Sequence, residues 1–198
     1  MGNREDLLAG ALECLKEKGW ARTTVRDIAA AAGVNHAAIG YHFGSRDALL
    51  TEAFMRAMED WGLGIEAEAE AAVDPAAGPR ERYEAIWRQT IASFTRNRKL
   101  WLVSIEAGIE AQRSPRVAEL MTRAMQEGRS GLAAGLLGVP EDSLAERDVR
   151  TLGAVQLALM SGVLMQWTLD PDHAPSEHDI ADGLLALSER ITGTPQPM

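Results

Sequence analysis

With one cysteine in 198 residues, Cys14 has no partner within the chain, so an internal disulfide and a cysteine-based metal site are both excluded. Cys14 falls among Leu8, Ala11, Leu12 and Leu15 on the apolar side of a first helix, where a thiol packs rather than reacts. No stretch alternates or runs in the manner of a β-strand, so the expected fold class is all-α. Catalytic signatures are missing too. There is no Gly-rich phosphate loop, no His-x-x-x-His pair and no Gly-x-Ser-x-Gly elbow. The four histidines, at 36, 42, 173 and 178, do not cluster at ligand spacing. No enzyme, metal or cofactor is therefore expected. A secretory signal is also absent, since the polar first residues lead directly into an amphipathic helix, and the cytoplasm is the expected compartment.

Excess positive charge is the next thing the chain does not have. Its net charge is −9, which looks wrong for a protein that binds nucleic acid, so the distribution matters. Residues 1–50 carry six basic and six acidic side chains, and residues 51–198 carry 14 and 23. The whole excess of negative charge thus lies outside the first quarter. An acidic body repels DNA and leaves a neutral head free to face it.

That head holds the most informative stretch, Thr24 to Phe43. Thr24 can cap a helix, with Asp27 three residues on to complete a capping box. Val25, Ile28, Ala29 and Ala32 give the helix one apolar face. Gly33 supplies a left-handed end, Val34 plugs the corner, and Asn35 caps a second helix that would bury Ala38, Ile39 and Phe43. Two short helices around a glycine turn make a helix-turn-helix. Leu7, Leu8, Ala11, Leu12 and Leu15 supply the helix before it, with Trp20 covering the three-helix core.

Six more helices follow, giving about nine. Ser45 caps a long fourth helix with a stripe from Leu49 to Trp61, roughly 40 Å at 1.5 Å per residue. After the loop Asp74–Pro79 a fifth carries Tyr83, Ile86, Trp87, Thr90, Ile91 and Phe94. Leu100–Ala111 form a sixth, and Ser114-Pro115 opens a seventh. Ser143 with Glu146 and Ser176 with Asp179 are read as capping boxes for the last two, and the tail from Thr192 to Met198 is expected to fray. Thr151–Leu169 contains no charge, long enough to raise a transmembrane span. Gln156, Gln166 and charged flanks of both signs favour a helix buried on all sides instead. Ala154, Ala158 and Gly162 form a small-residue stripe on it. Together with Leu184 and Leu187 of the ninth helix, they are the expected homodimer interface, a four-helix bundle.

The residues Thr24-Val25-Arg26-Asp27-Ile28-Ala29, Ala32-Gly33-Val34, Ile39 through Phe43, and Gly44-Ser45-Arg46-Asp47-Ala48-Leu49-Leu50 resemble the TetR family of transcriptional regulators. The resemblance covers about the first quarter. It implies a DNA-binding domain over residues 1–46 and a ligand-binding and dimerisation domain over 47–198. It also implies a homodimer on a palindromic operator, usually a repressor released by a small molecule, with no membrane involved. Carried over by position, Thr24 and Arg46 meet phosphates and Asn35, His36, Ala37 and Ala38 face base edges. Tyr41 and His42 flank the backbone, and Arg26 is counted with these. The family usually has an aromatic where this chain has Gly40. A glycine there costs a helix about 1 kcal/mol against alanine, and a close approach by DNA or by the first helix is the expected reason.

The chemistry agrees. The major groove admits one helix, and short side chains with Asn and His at its start can meet base edges. Asn35 serves equally well as a plain cap, and for His36 the alternative is a solvent-exposed residue. For the effector, Trp61, Trp87, Ile91, Phe94 and Trp101 are the expected aromatic and aliphatic lining, joined by Ile105, Met121, Met125, Met160 and Trp167. Any one of these is also ordinary core material. Glu106 is polar on an apolar helix, and two roles are open to it: anchoring a polar or cationic group, or pairing with an arginine. The five tryptophans and eight methionines suit a small, mostly apolar effector. A structural or protein-binding helical domain is the rival reading.

Overall fold

A computed structural model describes residues 2–193; the expected fraying beyond Gly193 lies outside the described residues. The described chain is helical with no strand. Its helices are α1 (Gly2–Lys18), α2 (Val25–Ala32), α3 (Ala37–Phe43), α4 (Arg46–Ala71), α5 (Pro79–Arg96) and α6 (Arg98–Ala111). They are followed by α7 (Pro115–Leu137), α8 (Glu146–Leu169) and α9 (Glu177–Thr192). The turn Val149–Gly153 inside α8 is π-helical.

Packing divides the chain into two compact units: the segment up to Gly62 with Asn97–Gly131, and Leu63–Arg96 with the segment from Leu132 on. This partition by contact differs from the expected functional division at 46/47, because the head's core is not made by α1–α3 alone. Leu7, Ala11, Leu15, Trp20, Ile28 and Ile39 are buried together with Leu49, Leu50 and Phe54 of α4. Leu100, Val103 and Ala107 of α6 and Val117 of α7 complete the same cluster. Trp20, 1% exposed, meets Phe54 edge to face at 6.3 Å. In the second unit the buried side chains are Ile65 and Ala69, then Trp87, Ile91 and Phe94 of α5. Val163 and Leu164 of α8 and Ile180 of α9 join them. Arg80 bridges Glu84 at 2.8 Å and Asp182 at 2.6 Å, and Arg88 pairs with Glu177 at 2.8 Å, which ties α5 to α9.

Most helix ends follow the local chemistry. Thr24 and Ser176 each close a reciprocal capping box, with Asp27 and Asp179. Gly33 ends α2 at φ 66°, Ser45 Oγ accepts the Ala48 N–H at 3.1 Å, and Pro115 opens α7. One box does not form. Ser143 lies in a 3-10 turn and donates to the Pro140 carbonyl at 2.7 Å, so its hydroxyl is spent on the Gly138–Pro140 turn and α8 starts without a side-chain cap. The expectation of a helix buried on all sides relied on a second copy of the chain to cover what one subunit leaves open. Within one chain α8 buries Val163 and Leu164 but leaves Val155 57% and Leu169 76% exposed, because the chain packs other helices against part of its circumference.

Candidate nucleic-acid interface

The head is built so that α3 is held from beneath and bare on top. Ile39 is buried in the core, while Asn35, His36, Ala37, Gly40, Tyr41 and His42 are exposed and Ala38 is half-buried. Tyr41 is 86% exposed. Its only ring neighbour among the described residues is His42, edge-on at 4.9 Å. An aromatic left that far in water gains nothing from the fold itself. Asn35 Oδ1 accepts the Ala37 N–H at 2.9 Å, so the cap and surface roles coincide: the oxygen starts the helix and the amide –NH2 stays available as a donor.

At the start of α2 the charges are locked. Asp27 Oδ2 accepts the Thr24 N–H at 2.9 Å, and Asp27 Oδ1 accepts from Lys18 Nζ at 2.5 Å. The hydrogen bond from Lys18, then those from Thr24, hold the Asp27 carboxyl well below the usual carboxylate range. Thr24 is therefore tied into its own cap. Arg46 is also engaged within the head: Nη1 donates to the Thr23 carbonyl at 3.0 Å, and Nε and Nη2 donate to Asp47 Oδ1 at 3.0 and 2.7 Å. Arg26, by contrast, is exposed with no carboxylate paired to it among the described residues. A methyl group built on Gly40 would meet nothing within 4 Å, so the first helix does not approach it.

The effector-lining candidates are distributed over both units. In the first, Trp61 and Trp101 meet edge to face at 4.8 Å. Ile105, Glu106 and Met121 are half-buried and Met125 is exposed. The Trp61 indole N–H is shielded from solvent and finds no acceptor among the described residues. In the second, Trp87, Ile91 and Phe94 are buried, Met160 is half-buried, and the Trp167 indole donates to the Pro175 carbonyl at 3.2 Å. Glu106 pairs with no arginine among the described residues; its carboxylate accepts the backbone N–H of Trp20 at 2.6 Å.

Sequence reasoning missed a recess of about 310 Å³ in the second unit, lined by Tyr83, Leu136, Thr151, Leu152, Val155, Gln156, Leu159 and Leu184. None of the effector candidates lines it. Its signal was the polar pair on apolar helices: the Tyr83 hydroxyl donates to Gln156 Oε1 at 3.0 Å, while burial pushes that hydroxyl's pKa up. On α8 and α9, Ala158, Gly162 and Leu187 are exposed and Ala154 and Leu184 half-buried.

The sequence model for bacterial regulatory proteins of the TetR family matches residues 7–53. The model for the C-terminal part of BetI-type transcriptional repressors matches residues 79–187, more than half of the chain. This chain belongs to the TetR family. The HTH-type transcriptional regulator BetI of Agrobacterium fabrum is 32% identical to it over 142 residues, 71% of this chain and 67% of that one. BetI of Rhizobium meliloti is 34% identical over 155 residues, covering 73% and 69%. A putative TetR-family regulator from a Rhodococcus species shares the fold at a TM-score of 0.67, with 21% identity over 96% of this chain and 98% of that one. As a TetR-family member the chain is a DNA-binding transcriptional regulator.

Proposed function

We propose that this TetR-family regulator is a ligand-responsive repressor that binds a palindromic operator as a homodimer and leaves it when a small, mostly apolar effector binds. The observation that carries this reading is the exposed face of α3, where Tyr41 stands 86% free of the fold beside Asn35, His36, Ala37, Ala38 and His42. Arg26 supplies a free cation for the phosphates. Thr24 and Arg46, whose polar atoms are already engaged, position the head more than they contact DNA. With few free cations per head, the salt dependence of binding is modest.

The exposed apolar side chains of α8 and α9 support the homodimer, with Ala154, Ala158 and Gly162 admitting a partner helix and Leu184 and Leu187 packing beside it. Residues 1–46 read DNA and 47–198 bind effector and partner. For the effector, the Trp61–Trp101 pair offers aromatic surface and an indole N–H without an acceptor, and Ile105, Met121 and Met125 extend it. Trp87, Ile91, Phe94, Met160 and Trp167 remain effector-lining candidates in the second unit.

Two relatives support a ligand of small size. A putative regulator from Saccharomonospora viridis, 22% identical at a TM-score of 0.61 over 94% of this chain, was solved in complex with choline. The nicotine-responsive repressor HdnoR of Paenarthrobacter nicotinovorans is 21% identical over 95% of both chains. Both ligands are small organic molecules built around nitrogen, and an acidic chain with paired tryptophans suits such a group. Release requires that the effector favour one arrangement of the dimer over another. Selection of random duplexes by the purified protein tests the reading: an enriched inverted repeat supports it, and failure to enrich any sequence contradicts it.

A further inference from the structure

We infer that Glu106 of α6 is a positioning residue for the DNA-reading head: its carboxylate fixes the α1–α2 turn, and with it the helix-turn-helix, to α6. The inference rests on the DNA-reading role of the head proposed above.

The turn from Gly19 to Thr23 connects α1 to the helix-turn-helix, and beyond the local bonds of Gly19 and Arg22 back to α1, three polar ties hold it. Thr23, fully buried, donates its hydroxyl to the Gly19 carbonyl at 2.8 Å and to the Cys14 carbonyl at 3.2 Å. Arg46 holds the Thr23 carbonyl from the start of α4. Glu106 Oε2 takes the Trp20 N–H at 2.6 Å. The first two ties come from within residues 1–50. Only the third reaches the turn from α6, 86 positions away in sequence.

Gly19 shows how closely the carboxylate is seated. Its φ is 77°, a conformation that favours glycine. A methyl group there would also overlap both Glu106 oxygens. No arginine or lysine neutralises Glu106 among the described residues, so its charge is directed at the peptide N–H, the stronger class of hydrogen bond. The same helix contributes Leu100, Val103 and Ala107 to the head's core and carries Trp101 and Ile105, which stand among the effector-lining candidates. A shift or rotation of α6 therefore reaches the turn directly, and through it α2 and α3.

The test compares Glu106→Ala, Glu106→Asp and Glu106→Gln in the full-length protein. Affinities are measured for the selected operator and for a scrambled duplex, well below each variant's melting temperature. Gln keeps an acceptor at the same reach but gives up the charge, and we expect its operator affinity to lie between those of the wild type and Ala. Asp withdraws the carboxylate by one methylene, and Ala removes it. For Ala we expect operator affinity to fall about tenfold, as for a lost charge-assisted bond that leaves its donor unpaired, while scrambled-duplex binding holds. Asp should fall in between, and it carries the test should the Ala variant not fold. Wild-type affinity in both Asp and Ala, or an equal loss on both duplexes, would overturn the inference. Failure of the wild type to prefer any duplex would instead sink the DNA-reading role itself.

Discussion

Gly40→Ala isolates the energetics of the reading helix. Gly40 sits in the middle of α3, a helix of seven residues, too short to be stable by itself. Its φ is not positive, and a methyl group there would meet nothing within 4 Å. Neither backbone strain nor steric overlap opposes alanine, so the full difference in helix propensity, about 1 kcal/mol, is available to the fold. For a chain of this size that corresponds to a rise in melting temperature of roughly 2–4 °C. Differential scanning calorimetry or circular dichroism reads it. His36 and Gly40 are four residues apart and share a face of α3, so the same methyl group projects where the operator is proposed to lie. Operator affinity should fall several-fold in fluorescence anisotropy while stability rises. An unchanged or lower melting temperature would refute the account of α3 as a helix weakened for no reason internal to the fold.

Other perturbations follow from the caps and the exposed helices. Thr24→Ala removes the α2 cap and should cost about 1 kcal/mol, lowering the melting temperature by roughly 2–4 °C. Asp27 adds a pH dependence. Its folded pKa lies below the ordinary carboxylate value of about 3.9, so its contribution is complete above that pH and is lost as the pH falls through the folded pKa. Acid unfolding monitored below about pH 4 should accordingly be shallower in Asp27→Asn than in the wild type. Ala158→Glu places a charge on the exposed small-residue stripe of α8 and should convert the proposed dimer to monomer in sedimentation equilibrium. A dimer that tolerated it would exclude this face as the interface.

The head was legible because its determinants are local. Thr24 and Asp27, Gly33, and Ser45 with Ala48 interact across three or four residues, and a capping box is written as such in the chain. Ser143 carries the same spacing and fails, since the preceding turn offers its hydroxyl the Pro140 carbonyl first. Longer-range pairings were out of reach. Nothing near Glu106 announces that its partner is the Trp20 amide, because that partner is a backbone group in the α1–α2 turn, 86 positions away. Arg46 likewise looked free for phosphate until the fold brought it the Thr23 carbonyl. The recess around Tyr83 draws on α5, α7, α8 and α9 at once, so only the polarity of Gln156 on an apolar helix hinted at it.

The central claim is that α3 reads DNA, and operator binding by the double variant His36→Ala, Tyr41→Ala tests it most directly. Both side chains are exposed and make no hydrogen bond to the fold among the described residues, so helical content, melting temperature and dimer should persist. The account predicts that binding to the selected inverted repeat disappears while weak, salt-sensitive binding to unrelated duplex remains. Operator affinity equal to that of the wild type would contradict it.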